Sequence, residues 1–195
     1  MVFEPSCLYH VYNRGNNRQE IFFNRENYLF FLRKARTHLL PFCDILCYCL
    51  MPNHFHFLIS TKEMLPHNQL NNAIGILLRS YTRAINKQEN RYGSLFQQDT
   101  KAKELLQSSG GSKPPDDCYP LTCFNYIHQN PMIAGLSPKM EDWEFSSFKD
   151  YAGERKGTLC NQTLARQLFD LPNDRNEFYR MSYALISPAK LEFIR

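Results

Sequence analysis

The chain has 195 residues, 43% of them hydrophobic, and a net charge of +4. This length suits one core with a small appendage and is short for an eight-fold β/α barrel, which needs about 250 residues. The sequence contains no basic segment leading into an apolar block and no run of about twenty apolar residues. We therefore expect a cytoplasmic protein with no membrane association. Seven cysteines without a Cys-x-x-Cys pair indicate buried thiols better than a disulfide framework or a zinc site.

The charge is unevenly distributed along the chain. Residues 1–107 contain 13 Lys and Arg against 8 Asp and Glu, whereas residues 108–195 contain 10 against 11. A basic N-terminal part is compatible with binding to a nucleic-acid backbone, although many enzymes have a similar balance. Charge alone therefore does not decide between these classes.

The first two elements are predicted to be a strand and a helix. Residues 9–12 are β-branched and aromatic, and the polar residues 13–17 that follow are typical of a turn. Asn24 can cap a helix whose apolar residues recur at helical spacing until Pro41 ends it.

The next segment indicates a hairpin that carries two histidines. Two apolar stretches, residues 44–50 and 54–60, flank a turn at Pro52. Because a strand directs alternate side chains to one face, His54 and His56 share a face. Such a pair is suited to binding a metal, but two histidines without a metal would show the same spacing. A metal site would need a third ligand.

A second helix is predicted over residues 68–90, with an apolar stripe and a separate basic stripe. The basic stripe consists of Arg79, Arg83 and Lys87, spaced four residues apart. It is either a solvated face or a surface that contacts phosphates. A Gly-Ser pair ends this helix, and residues 95–106 have room for a fourth strand.

The predicted order, β-α-β-β-α-β, indicates an α+β protein with the ferredoxin-like fold, an antiparallel sheet with two helices on one face. Residues 107–117 are rich in Ser, Gly and Pro and are predicted to form a flexible loop. Pro120 can begin an additional helix, which we expect to end at Asn130 because a proline follows. We divide the chain into a domain of residues 1–151 and a C-terminal helical tail of residues 152–195.

Tyr126 and Asn130 lie four residues apart on this additional helix, so their side chains share a face. If that face packs beside the histidine strand, Asn130 adds a third ligand and Tyr126 stands beside the metal as a nucleophile. A single tyrosine in an apolar helix is nevertheless more often a buried aromatic, and Tyr81 is the strongest competitor. His128 and Gln129 are alternatives to Asn130, although helical geometry turns His128 away from Tyr126. The remaining histidines are interpreted as structural or solvated: His10, His38 and His67.

Four motifs are specific as a set: YHVYNRGN from Tyr9, LMPNHFH from Leu50, YIHQNP from Tyr126 and WEFSSF from Trp143. Over residues 8–151 the chain therefore resembles the HUH single-tyrosine transposases of insertion sequences, and especially the REP-associated tyrosine transposases.

This resemblance implies a transposase that cuts and rejoins single-stranded DNA, in transposition or on REP-type hairpins, through a 5′-phosphotyrosine intermediate. It implies Tyr126 as the nucleophile, with His54, His56 and Asn130 as ligands of Mg²⁺ or Mn²⁺. The partner would be single-stranded or hairpin DNA. With one nucleophilic tyrosine per chain, excision needs either a homodimer or sequential use of one site. Four basic residues are expected to contact the DNA: Arg14, Arg79, Arg83 and Lys87.

Two other functions remain open. A ferredoxin-like sheet can bind single-stranded RNA without catalysis through aromatic residues such as Phe55 and Phe57, although the glycine-bearing RNP1 motif is missing. A small metal-dependent hydrolase would use the same histidines to activate water and would form no covalent adduct.

Overall fold

The structure is a computed structural model that describes residues 2–105, 119–188 and 191. Its first six elements are β1 (Leu8–Arg14), α1 (Arg25–Leu39), β2 (Cys43–Met51), β3 (His54–Thr61), α2 (Gln69–Gln88) and β4 (Lys101–Glu104). The elements that follow are α3 (Tyr119–Ile133), α4 (Phe148–Tyr151), α5 (Gln162–Phe169) and α6 (Arg175–Ser182). Two single-turn 3₁₀ helices lie at Asn16–Arg18 and Met140–Asp142. The loop predicted at residues 107–117 lies outside the described residues.

The four strands form one antiparallel sheet in the order β2-β3-β1-β4. The predicted α+β, ferredoxin-like arrangement is thereby confirmed. In the central pair, Tyr12 lies opposite His56 and Arg14 lies opposite His54. The end of β1 therefore meets the start of β3 at the same edge of the sheet, which places the histidine strand beside the first strand of the chain.

The two faces of the sheet are covered by different helices. On one face, Phe31 of α1 packs its ring 5.1 Å from Phe55 and 6.2 Å from Phe57. On the other face, the ring of Tyr126 in α3 lies 5.8 Å from that of His56. Because side chains alternate along β3, the phenylalanines face α1 and α2 while His56 faces α3.

Helix α3 differs from the prediction at its end, because it includes Pro131 and continues to Ile133. Proline removes one helical N–H and restricts the residue before it, but burial of the Pro131 ring compensates. The helix ends where Gly135 adopts a φ of +70°. The Gly135 N–H donates to the carbonyl of Met132 and the Leu136 N–H to that of Pro131, the hydrogen-bond pattern of a glycine-terminated helix.

The C-terminal helices pack into the same core as the sheet. Phe178 of α6 is 1% exposed, and its ring lies 5.6 Å from that of Phe148. The side-chain amide of Gln129 in α3 donates to the carbonyls of Ser182 and Ala184, at 2.6 and 3.0 Å. The helix that carries Tyr126 is thereby anchored from behind by residues near the C-terminus.

Two expectations from composition can be compared with the described part of the chain. The six cysteines in it have free thiols, and five of them are buried. Each helix in it is too short or too polar to cross a bilayer.

Candidate active site

A cavity of about 160 Å³ opens at the edge of the sheet where β1 ends and β3 begins. β1 contributes most of its wall, β3 supplies both histidines, and α3 supplies the tyrosine. The lining residues are His10, Tyr12, Asn13, Arg14, His54, His56 and Tyr126. Four residues singled out from the sequence, on three separate elements, therefore lie together: Arg14, His54, His56 and Tyr126.

The two histidines of β3 are held in a fixed geometry. Their ring centroids lie 5.0 Å apart with the ring planes perpendicular. Burial, assisted by the nearby charge of Arg14, lowers the pKa of His54 to about 4. Burial, with further contributions from His10 and His54, lowers the pKa of His56 well below its usual value. Both imidazoles are therefore neutral at pH 7, the state in which a ring nitrogen can bind a metal.

Each of these histidines uses its Nδ1 atom for a hydrogen bond to a neighbouring side chain. Nδ1 of His54 lies 2.6 Å from Oδ1 of Asn53, and Nδ1 of His56 lies 2.9 Å from Nε2 of His10. Nε2 of His56 is buried without a hydrogen-bond partner, which costs about 1–3 kcal/mol for a polar atom. A ligand bound to this nitrogen would remove the cost.

The nitrogen atoms of the pocket fit a divalent transition metal, but they form only part of a ligand set. Across the described residues, no group of three or more His, Cys, Asp and Glu side chains is placed to hold a metal. A metal beside His54 and His56 would therefore need ligands of another type.

Tyr126 closes the pocket from the α3 side. It is 8% exposed, and its ring stands edge-on to those of His56 and His10, with centroid distances of 5.8 and 6.3 Å. The opposite side of α3 is packed against the C-terminal helices, where the ring of His128 lies 5.8 Å from that of Phe148. The helix thus presents Tyr126 to the sheet from a fixed support.

The structure does not place Asn130 among the residues that line the pocket. Asn130 lies one turn after Tyr126, and its side-chain amide donates to the Tyr126 carbonyl at 3.0 Å. Its role as a ligand stays a prediction. The two alternatives point elsewhere: His128 is fully buried against Ser147, with a distance of 2.8 Å between Nε2 and Oγ, and Gln129 is bonded to the end of α6.

Sequence reasoning missed two important residues of the pocket, His10 and Tyr12. His10 is buried and hydrogen-bonded to His56, and the ring of Tyr12 lies 5.7 Å from that of His56. The predicted competitor Tyr81 is instead on the other face of the sheet, where its hydroxyl donates to the carbonyl of Ile21 at 2.7 Å. The alternation of residues 10, 12 and 14 along a strand was the available signal, but it required the pairing of β1 with β3.

A second, larger cavity lies beside α2. It is an open groove of about 1240 Å³ between α2 and residues 90–100. Arg79, Arg83 and Lys87 line it, all three exposed, together with Arg91. The groove is therefore strongly basic, as the predicted stripe on α2 indicates.

The groove and the pocket share a wall. Asn13 lines the pocket, and its side-chain amide donates to the Gln97 carbonyl at 3.1 Å and to Oγ1 of Thr100 at 2.9 Å. Gln97 and Thr100 both line the groove. The two cavities are therefore connected through the hydrogen bonds of Asn13.

Comparison with known proteins bears on the family and the fold. The sequence profile of a family described as "Transposase IS200 like" matches residues 4–129, which include both histidines and the tyrosine. Among solved structures, the chain is similar to one described as "Structure of the REP associates tyrosine transposase bound to a REP hairpin", with 17% identity, a TM-score of 0.57 and coverage of 96% of each chain. At this identity the similarity shows the fold. No curated protein matches the sequence significantly.

Proposed function

This chain belongs to the IS200-like transposase family, and from this premise we propose that it cuts and rejoins single-stranded DNA through a 5′-phosphotyrosine intermediate. One observation carries the proposal: Tyr126 lines the same pocket as His54 and His56. A free tyrosine hydroxyl has a pKa of about 10 and is a poor nucleophile at neutral pH. The position of Tyr126 beside two neutral imidazoles supports a catalytic role for its hydroxyl, because a tyrosine that only packs in the core would not need these neighbours.

In the proposed reaction, the Tyr126 oxygen attacks the phosphorus of the scissile phosphodiester. The phenolic proton leaves as the new oxygen–phosphorus bond forms, and the bond from phosphorus to the 3′ oxygen breaks as that oxygen takes up a proton. One phosphodiester replaces another, so the step is reversible without ATP. Rejoining needs only a new 3′ hydroxyl in the position of the one released.

We further propose that His54 and His56 hold Mg²⁺ or Mn²⁺, with the amide oxygen of Asn130 as the third protein ligand. A divalent cation at this position supplies polarisation of the scissile phosphate. The partnerless Nε2 of His56 supports a ligand there. Nitrogen donors suit Mn²⁺ better than Mg²⁺, which prefers oxygen.

The DNA would lie in the basic groove and reach the pocket over the shared wall. Lys and Arg side chains bind phosphates independently of base sequence. Arg79, Arg83 and Lys87 are placed for the flanking DNA, and Arg14 for phosphates next to the tyrosine. We propose hairpin DNA as the substrate, because the similar solved structure is described as bound to a REP hairpin. A homodimer and a cytoplasmic location remain part of this proposal.

The alternative of a non-catalytic RNA-binding module finds little support. It requires Phe55 and Phe57 to stack on bases. Both are 1% exposed and packed against Phe31. No base could reach them without unfolding of the helical layer.

The position of a label on the substrate separates a transesterase from a hydrolase. A hairpin oligonucleotide with a single-stranded flank is incubated with the protein and Mn²⁺, labelled at either its 5′ or its 3′ end. A transesterase keeps the 3′ label on the protein through denaturation and releases the 5′ label as a shorter strand. If both labels are released as free fragments, the enzyme is a hydrolase and the proposal is wrong.

A further inference from the structure

The two histidines of β3, His54 and His56, share a feature that the proposed chemistry does not by itself explain. Each is bonded through Nδ1 to a side chain from a different element, His54 to Asn53 of the hairpin turn and His56 to His10 of β1. A neutral imidazole carries its single proton on one nitrogen and a lone pair on the other. The partner at Nδ1 therefore decides which nitrogen can bind a ligand.

For His54 the proton can be assigned from the orientation of Asn53. The Asn53 amide nitrogen lies 3.2 Å from the Arg18 carbonyl, which can only accept a hydrogen bond, so the amide nitrogen faces that carbonyl. The amide oxygen then faces His54 at 2.6 Å and can only accept. His54 must donate from Nδ1, which leaves the lone pair on Nε2.

For His56 the bond to His10 allows two arrangements. If the proton lies on Nδ1 of His56, His10 accepts it and Nε2 of His56 carries a lone pair. If His10 donates instead, the proton of His56 lies on Nε2, and that atom has no lone pair left for a ligand. The first arrangement makes His56 equivalent to His54 and provides the pocket with two nitrogen lone pairs.

We propose that Asn53 and His10 are positioning residues that hold His54 and His56 in the Nδ1–H tautomer, so that both Nε2 atoms are available to one ligand. This inference rests on the proposed function insofar as the ligand is a divalent cation. His10 is diagonal to His56 across the central strand pair, since it lies opposite Leu58. It is buried at 1% exposure, so water does not compete for its bond to His56.

The tautomers can be read directly in the metal-free protein without DNA. Nitrogen-15 NMR of the imidazole rings distinguishes a protonated from an unprotonated nitrogen. In the unsubstituted protein, we expect Nδ1–H and a bare Nε2 for both His54 and His56. His10→Leu should convert His56 to a mixture of tautomers and leave His54 unchanged, and Asn53→Leu should do the reverse. His10→Gln and Asn53→Asp each retain an acceptor oxygen and should restore the original pattern.

Affinity for Mn²⁺, measured by titration calorimetry, gives the second readout. Loss of a side chain that orients a metal ligand typically weakens binding roughly 10- to 100-fold. We expect that loss in His10→Leu and Asn53→Leu, and recovery in His10→Gln and Asn53→Asp. Thermal unfolding of each variant shows whether it is folded.

A proton on Nε2 of His56 in the unsubstituted protein would overturn the inference, even if His10→Leu fails to fold. Unchanged tautomers and Mn²⁺ affinity in both leucine variants would overturn it as well. Failure of the proposed function has a different signature. If no DNA adduct forms but the tautomers are as expected, the proposed reaction is wrong and the positioning roles stand. If Mn²⁺ does not bind but the tautomers are as expected, the proposed metal is wrong and the positioning roles stand.

Discussion

The two faces of β3 bury side chains of opposite character. On the side of α1 and α2, Phe55 and Phe57 pack among aromatic rings. The buried hydroxyl of Tyr81 on this side donates a hydrogen bond to the Ile21 carbonyl. On the side of α3, the buried imidazole of His56 keeps its Nε2 atom without a hydrogen-bond partner. The first face is built for stability. The second carries an energetic cost that a stable core would avoid, and such costs are concentrated at functional sites.

The aromatic face should show the largest effect on stability. Phe31 is fully buried and contacts several other rings, so Phe31→Ala should lower the free energy of unfolding by about 3–5 kcal/mol. Urea denaturation measures the change. Phe23→Ala, at a site where the side chain is 39% exposed, is the matched control and should cost under about 1 kcal/mol. Similar values for the two variants would show that this face is not the main source of stability.

The α3 face should show the reverse pattern, with a large loss of activity and a small change in stability. His56→Leu keeps the volume and removes the unpaired Nε2, but it also removes the hydrogen bond between His56 and His10. We expect these terms to offset to within about 1 kcal/mol, with loss of Mn²⁺ binding and of DNA cleavage. Unfolding of the variant, or cleavage at the original rate, would contradict the distinction between the faces.

A buried imidazole behind α3, that of His128, predicts a pH dependence of stability that the aromatic face lacks. Burial lowers the pKa of His128 to about 3, below its ordinary value of 6.5. The unfolded chain therefore binds this proton more tightly than the folded protein. The stability contributed by neutral His128 is complete above pH 6.5 and is lost as the pH falls from there toward 3.

Urea denaturation between pH 4 and 8 tests whether the free energy of unfolding falls as the pH is lowered. His128→Leu should reduce the slope of the unfolding free energy against pH, whereas Phe31→Ala should shift the curve without changing its slope. An unchanged slope in His128→Leu would show that this imidazole is not held neutral by the fold.

The smallest predicted effect concerns the groove. Arg79→Gln with Arg83→Gln should flatten the slope of log affinity against log salt by roughly 1 to 2 units for DNA binding. Arg33→Gln with Arg36→Gln removes the same charge from exposed positions of α1 outside the groove, and it should leave the slope nearly unchanged. Equal slopes for the two double variants would mean that the basic stripe on α2 is only solvated.

Local patterns predicted most of the fold, because helix caps, turns and alternation are properties of short segments. Asn24 caps α1 as expected, accepting from the Asn27 N–H, and the hairpin of β2 and β3 turns where Pro52 indicated. The same alternation placed His54 and His56 on the α3 face.

Features that depend on pairing between distant segments could not be predicted in the same way. His10 and Tyr12 enter the pocket because β1 pairs with β3 in one register, and a shift by one residue would turn them to the other face. The wall shared by pocket and groove depends on Asn13 reaching Gln97 and Thr100, a long-range contact without a local signal. The continuation of α3 through Pro131 reflects burial in the assembled core.

The identity of the nucleophile is the most direct test of the account, because two tyrosines of the pocket lie at similar distances from His56. Tyr126 and Tyr12 have ring centroids 5.8 and 5.7 Å from that of His56. The test measures the denaturation-resistant adduct formed with a hairpin oligonucleotide and Mn²⁺, in Tyr126→Phe and in Tyr12→Phe. We predict that Tyr126→Phe abolishes the adduct, with a stability change of about 1 kcal/mol, and that Tyr12→Phe retains it. An adduct in Tyr126→Phe, or peptide mapping of the DNA to Tyr12, would contradict the account.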